Sequence, residues 1–92
     1  MKTLDSTDIR ELEFQLTYYT QCTCKVVAHT DYMFDITITT QNRIIFILVL
    51  ELSYHGHLLL HKLHKLFEQK DTSDIETRIY RAIQIFELLW GD

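Results

Sequence analysis

Ninety-two residues make one small domain, and a chain of that length buries only about two-thirds of the surface it exposes unfolded. Hydrophobic side chains form 47% of it and only two residues are glycine, so some apolar surface is expected to lie against another chain. A net charge of −4 and nine dispersed cations, with no basic cluster, disfavour direct nucleic-acid binding.

Asp5, Asp8, Glu11 and Glu13 stand where a signal peptide would need an apolar core. The longest apolar run, Ile44–Leu50, is seven residues, against the ~20 of a membrane span. Cys22 and Cys24, two apart, fit a reducing compartment better than a disulfide scaffold. The expectation is a soluble cytoplasmic protein with no membrane partner, a single α+β domain over residues 1–92.

From Glu11 to Tyr18 polar and apolar residues alternate strictly, which predicts a strand. A helix over the same stretch would align Ile9, Leu12, Leu16 and Tyr19 but leave Phe14 on the wrong side, so strand is preferred. Three more strands are expected at Cys22–Ala28, Tyr32–Thr39 and Arg43–Leu52. Apolar residues hold even numbers through the first three runs, so even positions share a face. That parity survives only if the loops are odd in length, as Tyr19-Thr20-Gln21 and His29-Thr30-Asp31 would be. Asn42 marks the next turn. The run Arg43–Leu52 breaks the pattern: Ile44, Phe46, Leu48 and Leu50 continue the even face, yet Ile45, Ile47 and Val49 are apolar too. Something must cover that second face.

Helices are expected for the rest, one over His57–Gln69 and a second opening at a capping box, Ser73-x-x-Glu76. The second carries Ile75, Ile79, Ala82, Ile83, Phe86 and Trp90 at helical spacing, with Gly91 as its C-terminal cap. An antiparallel meander followed by two helices on one face, ββββαα, follows, with αβββαα as the alternative.

His57, His61, His64 and Glu68 would line one stripe of the first of these helices, beside the apolar arc of Leu59, Leu60, Leu63, Leu66 and Phe67. Three imidazoles on one side is what a shared metal ion needs, but one helix seldom closes a coordination shell and the H-E-x-x-H pattern is missing. Histidine bordering an apolar face is the simpler account. The Cys22-x-Cys24 pair reads as two small core residues. No phosphate loop or nucleophile elbow is present, and the carboxylate pairs Glu11/Glu13 and Asp74/Glu76 fit exposed faces or a helix cap, so neither an enzyme nor a cofactor is expected.

The leading reading is a homodimeric adaptor or inhibitor that binds an unidentified protein. Ile45, Ile47 and Val49, with Trp90, are its expected interface. One alternative is a nucleic-acid mimic presenting Glu11, Glu13, Asp35, Asp71, Asp74 and Glu76 to a basic protein. The other is a metal-binding protein built on the histidine stripe.

Overall fold

A computed structural model describes residues 3–66 and 72–91. The chain runs α1 (Ser6–Thr20), β1 (Thr23–Ala28), β2 (Met33–Thr40), β3 (Arg43–Leu52), β4 (Leu58–Lys65) and α2 (Thr72–Trp90). The four strands form an antiparallel meander in the order β1-β2-β3-β4. Both helices contribute to one core with the same sheet face. The expected class, a four-stranded meander with two helices on one face, is the one observed. The order of elements is αββββα rather than ββββαα or αβββαα, and two segments exchange roles.

The first exchange is at the N-terminus. Asp5 and Asp8 form a reciprocal capping box, each side chain accepting the other's backbone N–H, and Gln21 closes the helix in the left-handed region at φ 59°. Leu12 and Leu16 are fully buried beneath α1, and Ile9 and Tyr19 pack beside them. The alternation from Glu11 to Tyr18 suits a strand, but a helix also gathers the leucines, at the cost of exposing Phe14. That residue and Tyr18, each 60% exposed, stack on one another at 6.3 Å on the outer side of α1.

Parity then runs as expected through β1 and β2. Ala28 pairs with Phe34, and His29 N–H reaches Met33 O, so the loop is the odd-length Thr30-Asp31-Tyr32. Cys22, Cys24, Val26, Phe34, Ile36 and Ile38 all face the core. The β2–β3 turn is even: Thr40 pairs with Arg43 across Gln41 and Asn42, whose φ values of 51° and 61° suit a type I′ turn. Two turn residues would invert parity, and a bulge restores it. Thr39 faces Ile44 and Ile38 faces Phe46, leaving Ile45 as the extra residue. Ile45 therefore turns inward, 2% exposed, beside Phe46, Leu48, Leu50 and Leu52. The doubly apolar strand is thus partly an ordinary core strand with a bulge in it.

The second exchange is at residues 57 to 66. Ser53 N–H donates to His57 O and Gly56 N–H to Ser53 O, which closes a hairpin whose Gly56 holds φ +84°. Gly56 thus turns one strand into the next instead of separating a strand from a helix. Leu58 and Leu60 face Leu52 and Leu50, but Val49 faces Lys62 and Leu48 faces Leu63, so His61 is the extra residue of a second bulge. Leu58, Leu60 and Leu63 then line one face at spacings of two and three, and such spacing imitates a helix. The expected helix over His57–Gln69 is corrected to β4 up to residue 65, and its last residues lie outside the described ones.

Each helix takes up one backbone N–H of a sheet edge. Glu13 of α1 accepts the Val26 N–H of edge strand β1 at 3.0 Å, and Glu87 of α2 accepts the Leu58 N–H of edge strand β4 at 2.7 Å. In α2, Ile79, Ala82, Ile83, Phe86 and Trp90 are buried as their spacing requires. The capping box expected at Ser73 rests on a side chain outside the described residues.

Candidate functional site: the open face of the sheet

Among the described residues, the helices cover one side of the sheet and leave the other open. Register alone builds its surface. One cross-strand row reads Lys25, Thr37, Ile47, His64, and the next reads Val27, Asp35, Val49, Lys62. A third holds Met33, Glu51 and Leu59, and a fourth Thr23, Thr39 and Ile44. Val27, Ile44, Ile47 and Leu59 are each at least 40% exposed, with Val49 half-buried among them. A sheet face in water normally carries polar residues, so these exposed apolar side chains are the unusual feature of this face.

Charge on the face is balanced. Lys25 and Lys62 stand against Asp35 and Glu51, so the two signs cancel where the whole chain carries −4. His29 Nδ1 lies 3.8 Å from Asp35, and His61 Nδ1 lies 3.8 Å from Glu51. Compared with family models, with curated proteins and with solved structures, the chain matches none.

The expected interface residues separate. Ile47 and Val49 belong to the open face, whereas Ile45 is drawn into the core by its bulge. Trp90 is also in the core, stacked on Phe86 at 6.0 Å and close to Gly56. Their places on the face are taken by Ile44 and Leu59. Reading Ile44 as a core residue followed from unbroken parity, and the even turn at Gln41-Asn42 was the sequence signal that parity would break there.

The histidines separate as well. At ~3.3 Å per residue, four positions from His57 to His61 span about 13 Å of strand, and three from His61 to His64 about 10 Å. No three of His57, His61 and His64 converge, Glu68 lies outside the described residues, and no group of three metal-ligating side chains occurs among the described residues. The stripe existed only on the expected helix.

The acids lie on both sides of the molecule. On α1, Glu11 accepts a hydrogen bond from Gln15 and Glu13 one from Val26 of β1, while Asp35 is across the sheet on the open face. Asp74 pairs with Arg78 at 3.0 Å one turn along α2, near Glu76. Asp71 lies outside the described residues. Cys22 and Cys24 are free, buried core residues. Burial pushes the Cys24 thiol pKa up, against smaller opposing effects of hydrogen bonds with Thr20 and Thr17. No helix among the described residues is long and apolar enough to cross a membrane.

Proposed function

We propose that this chain is a small homodimeric interaction module, an adaptor or inhibitor without catalytic activity, that self-associates through the open face of its sheet. The observation that carries the reading is an apolar stripe of Ile44, Ile47 and Val49 along β3, with Asp35 and Lys62 on either side of Val49 and Glu51 next along the strand. Burying it removes apolar area from water, and the balanced charges of the face add no net repulsion between two copies of a −4 chain. The guarded edges favour the face over edge-to-edge pairing. A second, different protein would then meet the helical side, where Phe14 and Tyr18 are exposed. The reading includes a cytoplasmic setting, in keeping with two free cysteines.

Native mass spectrometry of the wild type and of Ile47→Asp tests it. The expected outcome is a dimer for the first and a folded monomer, with unchanged circular dichroism, for the second, because Ile47 is exposed within the subunit. A dimer that survives the substitution would remove the open face from the contact.

A further inference from the structure

We propose that two copies of the chain meet about a twofold axis parallel to β3, with Asp35 of each copy against Lys62 of the other. The inference rests on the dimer reading above and adds the symmetry and the residues that select the partner. A twofold contact uses the same patch twice, so residues on either side of the axis must complement each other. Asp35 and Lys62 are on the same row, one strand to each side of Val49. Within one chain they are two strands, or roughly 10 Å, apart. Among the described residues Lys62 makes no ion pair.

Rotation about β3 lays each β2 residue on the β4 residue of the same row in the second copy. Asp35 then faces Lys62, Thr37 faces His64, and Met33 faces Leu59. Each of these three pairs is complementary: acid with base, hydroxyl with imidazole, thioether with leucine. Ile47 and Val49 lie on the axis and pack against their own copies. Stacked sheets are about 10 Å apart, a gap that a lysine and an aspartate together span. Glu51 meets its own copy at one end of the strands, where the ~30° crossing of aligned sheets splays them apart.

Two other in-plane axes do worse. An axis between β2 and β3 sets Asp35 on Val49 and Lys62 on Val27, which buries both charges against valine. An axis across the strands, between the two central rows, brings Lys62 onto His64 and Asp35 onto Thr37 and leaves neither charge an opposite partner. Three strands of about eight residues cover roughly 14 Å by 26 Å. Their burial on both copies comes to about 700 Å², below the standard size of specific interfaces, so the dimer should be weak and dissociate on dilution.

Sedimentation equilibrium of wild type, Asp35→Lys, Lys62→Asp, Ile47→Asp and an equimolar mixture of the two charge reversals tests the arrangement. Each reversal alone sets like charges together twice per dimer, and its Kd is expected to rise at least about tenfold. In the mixture, one chain carries lysine at both positions and the other aspartate, so both contacts are again opposite in sign. A heterodimer with near wild-type Kd is expected, and its formation also shows that both variants are folded. If the wild type dimerises and Ile47→Asp breaks the dimer while the charge reversals and their mixture change nothing, the β3 axis is wrong but the open face stands. A dimer indifferent to all the substitutions, or a wild type that stays monomeric, overturns the axis and the face together.

Discussion

Ile45 and His61 occupy the extra position of a β-bulge, and each redirects the side chains that follow it. Ile45 leaves the surface for the core, while His61 shifts Leu63 onto the inner face and Lys62 onto the open one. A bulge has no residue signature of its own in these two runs; it is chosen because the alternative register would turn Phe46 or Leu63 to water. Cys24 shows the same dependence on surroundings. Its thiol pKa is raised chiefly by burial between α1 and β1, so at neutral pH it holds its proton more firmly than a free cysteine. The sign follows: stability linked to that proton is complete below the free-thiol range and lost as pH rises toward the folded value. Alkylation by iodoacetamide near pH 8 should label Cys24 far more slowly in the native protein than in urea, as peptide mass mapping would reveal. Equal rates would mean that the site opens to solvent.

At the scale of elements, α1 and β4 are the informative pair, because the local pattern of each predicts the other's kind. The stretch from Glu11 to Tyr18 satisfies a period of two and, through Ile9, Leu12, Leu16 and Tyr19, a period near 3.6 as well. What decides is the end of the segment: the Asp5–Asp8 capping box supplies acceptors for helix N–H groups that a strand would not need. A direct check compares two substitutions within α1. Leu12→Ala should destabilise the fold by about 2–5 kcal/mol, since Leu12 is fully buried. Phe14→Ala should change stability by no more than about 0.5 kcal/mol, because Phe14 is exposed and stacks on Tyr18 on the solvent side. Chemical denaturation measures both. A strand would have put the two residues on the same buried face and made both substitutions costly. For β4 the missed signal was Gly56 within Tyr54-His55-Gly56, a three-residue loop with glycine at its left-handed position.

The whole molecule is a sheet with two guarded edges, one covered face and one open face. The edge guards are single carboxylates, Glu13 for β1 and Glu87 for β4. Each accepts a backbone N–H that would otherwise be available to another strand. Glu13→Ala with Glu87→Ala should therefore change how the protein assembles as well as how stable it is. The expected product is open-ended oligomers larger than a dimer, detected by light scattering, since edge-to-edge contacts need not close. A variant that keeps the wild-type assembly would show that the carboxylates serve the helix–sheet joint alone.

Composition, parity and helical spacing were enough to set the α+β class, the three strands from residue 22 to 52, the buried face of the last helix and the burial of Cys22 and Cys24. All of these depend on local periodicity, which each segment carries by itself. The spacing of the leucines around His61 is equally local, yet it misleads, because an inserted residue in a strand and a turn of helix leave the same trace in one dimension. Only the tertiary structure could show that Leu58, Leu60 and Leu63 meet a partner strand, and that His57, His61 and His64 never gather. It also decided which apolar residues of β3 are left on the open face. Ile47 and Val49 remain outside and Ile45 does not, because the length of one turn, the bulge that offsets it and the two helices on the far face together set where the open surface lies.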